Sequence, residues 1–509
     1  MSFDSVLFLG SEPAPVLERE APSFFGDLNL NQVVASITVG REEYDLAPFF
    51  HTRLLTRDAI VYRQEVLRDF ESKGLLAHIG SFAQEMREMR SHLARAEKLH
   101  YDYEKEAWFL DAAQLYGEAV KRLAEDLALA DLSSRGLRAF RAYLANYVQS
   151  DPFATLLAET KKVRDGLSGV RYCLAIKDDR VKVSCYDGEA DYSADVERTF
   201  EKFKRGAVKD YRATFSTSPE MNHVEARILD LVARLHPDVF VALDTFCQRH
   251  RGYLDKTIAA FDLEVQFYVA YLDYIEPLKA AGLRFCYPRV CDHSQEIYAR
   301  DAFDIALADT LIPEHSIVRN DFELNDPERV IVVSGPNQGG KTTFARMFGQ
   351  LHFLAAIGCL VPGSDARLFL CDRLFSHFER EEDLKTLSGK LEDDLLRMHE
   401  ILSQATPRSI VIMNESLTAT TLRDASILGR AVLEQMIARG LLCVYVTFVD
   451  ELASLSPATV SMVSTVSPED PATRTYKIVR RPADGLAYAY AIAEKYGLTY
   501  DHLKERLTS

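Results

Sequence analysis

Apolar residues in the first part of the chain recur at helical spacing. Between about Leu54 and Arg164 glycine and proline are scarce, and positions such as Tyr62, Val66 and Phe70 repeat every fourth residue, which predicts amphipathic helices. The pattern breaks at Val170–Ile176 and Val181–Tyr186. These two runs of β-formers are separated by Lys177-Asp178-Asp179-Arg180 and closed by Asp187-Gly188, which predicts a β-hairpin set between helices. Helical spacing then returns: Val224, Ile228, Leu231 and Leu235 fit one apolar stripe, and Pro237 ends or kinks that helix.

After Cys286-Tyr287-Pro288 the texture changes. Short β-branched runs at Val330–Ser334, Ile410–Met413 and Leu442–Thr447 alternate with helical segments, the pattern of a mostly parallel sheet covered by helices. The boundary falls near 285–300. The expected organisation is an amino-terminal segment over 1–50, a mainly α-helical body over 51–290 carrying the hairpin near 170–186, and a carboxy-terminal α/β domain over 291–509. No internal repeat is visible.

The 509 residues, with 47% hydrophobic and 27% charged, are ordinary globular usage and exclude a disordered or fibrous chain. The net charge of −16 argues against coating nucleic acid through bulk positive charge, so any such contact must be local. Eight cysteines without a C-x-x-C pair, and no signal-peptide pattern, lead to the expectation of a reduced, cytoplasmic setting. No stretch reaches the roughly 18 apolar residues of a membrane span, so no membrane association is expected. Cys286, Cys291 and His293 have the chemistry of metal ligands but lack a fourth partner, and are read as packing residues.

The chemistry concentrates at Gly335-Pro336-Asn337-Gln338-Gly339-Gly340-Lys341-Thr342, with Thr343 next. This G-x-x-x-x-G-K-[ST] pattern follows an apolar strand and precedes a helical segment, Phe344–Ala356. Glycines let backbone N–H groups curl around phosphate oxygens, Lys341 supplies a positive charge, and Thr342 offers a hydroxyl to Mg²⁺. Nucleotide binding is expected, with ATP and Mg²⁺ as cofactors. Seventy residues on, the strand Ile410–Met413 ends in Asn414-Glu415. Glu415 is placed to orient or deprotonate an attacking water, while Asn414 is a metal-side candidate that brings no negative charge.

These residues resemble the MutS family of DNA mismatch-repair ATPases. The loop reads Gly-Pro-Asn-x-Gly-Gly-Lys-[ST]-Thr, and Ile357-Gly358-Cys359-Leu360-Val361-Pro362 is similar to the family's IGSYVPA segment. Asp372-Arg373-Leu374-Phe375 resembles its DRIFTR strand, Thr447 to Leu452 its THxxEL, and Asp484-Gly485 with Tyr496-Gly497 its closing DG and SYG. The resemblance covers about Ser316–Leu507 clearly. It implies a P-loop ATPase domain of the ABC type, a helical lever body upstream, a homodimer through the ATPase domain and DNA as a partner. The residues ahead of the helical body are too few for the family's mismatch-reading domain, so that function is not expected to carry over.

Three motifs depart from the family. Its Asp-Glu is Asn414-Glu415, its GRGTST is Leu417-Thr418-Ala419-Thr420-Thr421-Leu422, and its switch histidine is Phe448. Phe448 cannot hydrogen-bond a γ-phosphate, and is read as packing under the sheet. The segment that in the family reaches a partner's nucleotide is Leu387-Ser388-Gly389-Lys390, where Ser388 can face a γ-phosphate in trans or simply cap a helix. Tyr496–Leu507 is a candidate helical brace at the dimer contact. Lys161, Lys162, Lys202, Lys204 and Arg205 flank the hairpin and can meet DNA phosphates or form a solvated face. The leading reading is a slow ATP-dependent DNA-binding ATPase of repair or recombination. The alternative is a weakly hydrolysing nucleotide switch or scaffold acting on a protein partner.

Overall fold

The computed structural model describes residues 3–10, 15–177, 180–188, 221–312, 314–379, 389–469 and 473–483. In chain order the helices are α1 (Leu30–Thr38), α2 (Ala47–His51), α3 (Arg57–Phe70), α4 (Lys73–Lys98), α5 (Asp102–Leu129), α6 (Arg135–Val148) and α7 (Asp151–Ser168). They continue with α8 (His223–Leu235), α9 (Pro237–Arg249), α10 (Lys256–Ala280), α11 (Ile305–Leu311), α12 (Lys341–Ala356), α13 (Lys390–Gln404) and α14 (Leu422–Ala438). The strands are β1 (Tyr172–Lys177), β2 (Arg180–Cys185), β3 (Phe285–Cys286), β4 (Arg289–Cys291), β5 (Ile297–Ala302), β6 (Asn320–Leu324) and β7 (Val330–Ser334). Then come β8 (Val361–Pro362), β9 (Asp365–Phe369), β10 (Leu374–Phe378), β11 (Ile410–Asn414), β12 (Leu442–Val446), β13 (Thr459–Val466) and β14 (Arg474–Arg480).

The chain divides into two compact units, one formed by 73–131 and 139–262, the other by 3–72, 132–138 and 263–509. Among its described residues the first is helical apart from the antiparallel hairpin β1–β2, which pairs Tyr172 with Cys185 and Leu174 with Val183. Its interior is aromatic: Phe109 packs edge-on against Phe246 and Tyr253, and Tyr103 against Phe240. The helix broken by Pro237 restarts with that proline in its first turn, where a missing N–H costs nothing. The expected stripe on α8 is only partly its buried face. Val224 is exposed, Ala226, Val232 and Ala233 are buried, and the half-buried Ile228 of the stripe packs with Leu229 and Val183 against Val232, Ala233 and Phe240.

The second unit is built on a six-stranded sheet in the order β10-β11-β12-β7-β13-β14. The first five strands run parallel and β14 antiparallel to β13. Every residue of β7, β11 and β12 is buried, which is why these strands read as unbroken apolar runs instead of alternating ones. Helix α12 lies so close that a methyl group on Gly349 would stand 2.5 Å from Ile412 of β11 and 2.7 Å from Leu28.

The boundaries expected at 50 and 290 differ from those of the compact units, because the amino-terminal residues pack on α12. Phe25 meets Phe353 edge-on at 4.9 Å. Gln350 donates to the Leu28 carbonyl at 2.9 Å, and Arg346 to that of Asp27 at 3.0 Å. The fully buried Arg63 of α3 donates to the carbonyls of Leu7 at 3.0 Å and Ile357 at 2.9 Å. Its guanidinium lies over the rings of Phe8 and Phe267, and Gly358 leaves room for its side chain, since a Cβ there would come within 2.8 Å.

Candidate functional site

Strand β7 delivers the loop 335–340 to the start of α12, as the sequence pattern requires. Gly335, Gln338 and Gly340 take left-handed backbone conformations at φ of 110°, 60° and 87°. Behind the loop stands Ser464 of β13, fully buried, whose hydroxyl donates to the Gly339 carbonyl at 2.7 Å. A Cβ on Gly339 would fall 2.2 Å from that hydroxyl, and one on Gly335 would fall 2.9 Å from the Ser464 carbonyl. The glycines are therefore required by close approach as well as by backbone angle.

Lys341, only 5% exposed, turns back over the loop. Its Nζ donates to the carbonyls of Gly335 and Pro336, each at 3.0 Å, and to Asn337 Oδ1 at 3.2 Å. Burial lowers its pKa from the usual lysine value, and Glu415 opposes that shift while Arg474 adds to it. Arg474 also donates to the Asn337 carbonyl at 3.2 Å, holding the loop from the outside.

At the end of β11, two strands from β7, Asn414 accepts at Oδ1 from the Thr342 hydroxyl at 2.9 Å. The next residue, Glu415, is half-buried, sits at φ 50° and donates its N–H to the Val446 carbonyl at 2.9 Å. Leu417, at φ 64° and fully buried, continues this turn. Two non-glycine residues in the left-handed region within three positions mark a strained segment.

A cavity of about 530 Å³ adjoins the loop. Gln338, Gly340, Lys341, Thr342, Thr343 and Glu415 line one side, and Ile317, Val318 and Tyr476 offer an apolar and aromatic wall. The structure thus brings the loop, Thr342, Thr343 and Glu415 to one space. Gly335, Pro336, Asn337 and Gly339 shape the loop without lining that cavity, and Asn414 lies beneath it through its bond to Thr342. Ser388, Asp484 and Tyr496–Leu507 lie outside the described residues, as do Lys202, Lys204 and Arg205. Lys161 and Lys162 are exposed on α7.

Phe448 is not packed under the sheet as expected: it is 47% exposed. Strand β12 ends at Val446, and the buried Thr447 accepts the Val449 N–H on its hydroxyl at 3.1 Å. That tight turn buries the residues on either side of Phe448 and leaves its ring outside. Cys291 accepts a contact from Arg367 at 3.4 Å and His293 is exposed. Among the described residues no group of three or more His, Cys, Asp or Glu side chains is placed to hold a metal ion, and no helix is long and apolar enough to cross a membrane.

Several site residues carried no clear sequence signal. Ser464 is one of four polar residues in the β-run Thr459–Val466, and nothing in that run singles it out. Tyr476 sits at φ 56° on an edge strand. It is held there by Asn320, which donates to the Tyr476 carbonyl at 3.3 Å and accepts from the Ile478 N–H at 2.8 Å. These contacts join residues some 150 positions apart, and no local pattern announces them.

Residues 331–499 match the family model described as MutS domain V. Among curated proteins, the chain is 26% identical to the DNA mismatch repair protein MutS of Thermotoga maritima, over 47% of this chain and 29% of that protein. It is 27% identical to MutS of Halalkalibacterium halodurans over 55% of this chain and 32% of that protein. It is 31% identical to Endonuclease MutS2 of Thermus thermophilus over 38% and 26% respectively. The matched region spans about a third or less of the length of these relatives.

Proposed function

We propose, for a chain that belongs to the MutS family, that residues 335–343 bind the phosphates of ATP in a P-loop domain of the ABC type. The observation that carries this reading is the convergence of Lys341, Thr342 and Glu415 on one cavity beside a glycine-shaped loop. Lys341 already meets three oxygen acceptors of the loop, and phosphate oxygens would replace them without unfolding anything. The wall of Ile317, Val318 and Tyr476 offers a place for the nucleobase.

Thr342 and Asn414 would hold Mg²⁺, the hard oxygen donors such an ion prefers. When bound, the ion supplies neutralisation of phosphate charge. Both donors are neutral, so the task of charge on the protein side falls to Glu415. Glu415 orients the attacking water or accepts its proton. With Asn414 in place of a carboxylate and Phe448 unable to hydrogen-bond, hydrolysis is slow. The same two residues favour the second reading, a nucleotide-dependent switch acting on a protein partner.

The relatives' names speak of mismatch repair and of an endonuclease, and we carry over DNA binding in repair or recombination, in a dimer joined through the ATPase domains. Two measurements test this. Binding of a fluorescent ATP analogue with Mg²⁺ should be lost in Lys341→Ala while circular dichroism stays unchanged, and equal affinity in mutant and parent would sink the phosphate-loop reading. Mobility shifts with and without ATP, at two salt concentrations, should show the salt slope that phosphate contacts impose. Nucleotide binding without any DNA shift would favour the switch.

A further inference from the structure

Strand β10 ends one strand away from Asn414-Glu415, and its last residues touch both the turn after Glu415 and helix α13. His377, fully buried, places Nδ1 2.8 Å from the Ser416 hydroxyl. Its Nε2 faces Asp394 of α13, 3.3 Å from the backbone carbonyl and 3.5 Å from the carboxylate. Ser416 and Asp394 are themselves 2% and 4% exposed. The partners fix the tautomer: two acceptors on Asp394 require the proton on Nε2, which leaves Nδ1 to accept from Ser416. Burial lowers the imidazole's pKa, Arg397 adds to that and Asp394 opposes it, consistent with a neutral ring. The constellation Asp394–His377–Ser416 has the residue types of a hydrolytic triad, but all three are sealed from solvent and none can reach a substrate.

A second link runs parallel to it at the surface. Glu379, just past β10, pairs with Lys390, the first residue of α13. The same carboxylate oxygen accepts from the Thr418 hydroxyl at 2.9 Å. Two bridges, one buried and one exposed, therefore tie α13 to residues 416 and 418. Those residues flank the strained positions of the turn, Glu415 and Leu417.

We propose that His377 is a positioning residue for Glu415, holding the turn 415–418 through Ser416 and registering it to helix α13 through Asp394. This rests on the ATPase reading for its catalytic consequence, since what is positioned is the group that handles the water. A left-handed glutamate is not the conformation its own backbone prefers, so Glu415 needs its neighbours held. A shift of α13 changes the distance from Asp394 to the imidazole and, through Ser416, the aim of the carboxylate. Glutamine at 377 keeps an amide near the Nε2 position and loses the Ser416 link. Asparagine keeps the link near Nδ1 and loses Asp394.

The test has two arms. In single-turnover hydrolysis, Ser416→Ala and His377→Gln should slow the chemical step about 10- to 100-fold, the scale of a displaced catalytic group, with ATP affinity unchanged. His377→Asn should retain more activity than His377→Gln, and in a Glu415→Gln background Ser416→Ala should cause no further loss. Parental rates in Ser416→Ala and His377→Gln, or the same fold-loss with and without Glu415, would overturn the proposal. In the second arm, without nucleotide, amide hydrogen exchange over 410–421 should quicken in Ser416→Ala and Asp394→Asn while melting temperatures of the whole chain stay close to the parent. Unchanged exchange there would overturn it as well. If the parent fails to hydrolyse ATP while exchange responds as expected, the ATPase reading fails and the proposed coupling of the turn to α13 stands. Failure of the exchange arm in an active enzyme sinks the proposal alone.

Discussion

The two halves of the candidate site are held by different means. On the phosphate side, the loop 335–340 is fixed chiefly by close approach: Gly335 and Gly339 are pressed against Ser464, and Gly335 and Gly340 take positive φ, with Gln338 the one non-glycine there in that region. On the water side, the turn from Glu415 is built of non-glycine residues in the same unfavourable region, and distant side chains hold it there. The first half tolerates almost no substitution at its glycines. The second can change its residues as long as the links survive. Two of the chain's three departures from the family's motifs, Asn414 and 417–422, fall in this second half.

If the contrast is sound, the largest effect should come from the smallest chemical change. Gly339→Ala places a methyl 2.2 Å from Ser464 Oγ and should reduce ATP affinity by about 100-fold or more, a loss of roughly 3 kcal/mol or more of binding. Calorimetric titration would show it, and Gly339→Ala combined with Ser464→Gly should recover part. Next in size, Glu415→Gln should lower the hydrolysis rate by about 10²-fold, the lower end for general-base removal, at unchanged affinity. A matching fall in affinity would erase the distinction between the halves. Asn414→Asp should act more gently, raising the rate or lowering the Mg²⁺ needed for half-maximal activity by several-fold, because it returns a carboxylate to the ion. No change in either quantity would make the amide neutral there.

The smallest effect belongs to the other compact unit and serves as a control. Burial, with Asp244 and Asp102 adding, pushes the Glu106 carboxyl up to about 7. Among the described residues its Oε2 has no hydrogen-bond partner. A raised carboxyl binds its proton more tightly in the folded chain, so stability is lost as pH rises from the unfolded value near 4.5 toward 7 and stays reduced above. Glu106→Gln should therefore raise the melting temperature at pH 8 by about a degree or two, solvent screening keeping it small. The gain should vanish below pH 5. ATP affinity should not move at either pH.

What the sequence disclosed follows the same division. Gly335 to Thr342 could be read because its constraint is local: each residue type answers to its own backbone angle or its nearest neighbours along the chain. The buried strands β7, β11 and β12 were legible for a similar reason, since a strand covered on both faces needs an apolar run wherever it sits. Phe448 was misread because its exposure depends on Thr447 closing a turn through its hydroxyl, a choice that an apolar-looking stretch conceals. The stripe on α8 was read only in part because period alone finds large residues: Ile228 packs into the cluster, but Val224 is exposed and the small residues Ala226 and Ala233 are buried. Ser464 and His377 take their roles from partners far along the chain, and one sequence does not say which strands will be neighbours.

The burial of Arg63 bears on how this protein can be cut. An excised α/β domain beginning near 291 would look self-sufficient in its motifs, yet it would lack the helix that supplies that guanidinium and the phenylalanines that lie on Phe353. The carbonyl of Ile357 would lose its donor, and the hydrophobic back of α12 would face water. Such a fragment should aggregate, whereas a chain that starts at 263 and is co-expressed with 3–72, which restores nearly the whole compact unit, should stay soluble. Residues 3–72 would then be a missing slice of that domain, supplied from some 200 positions upstream in the chain.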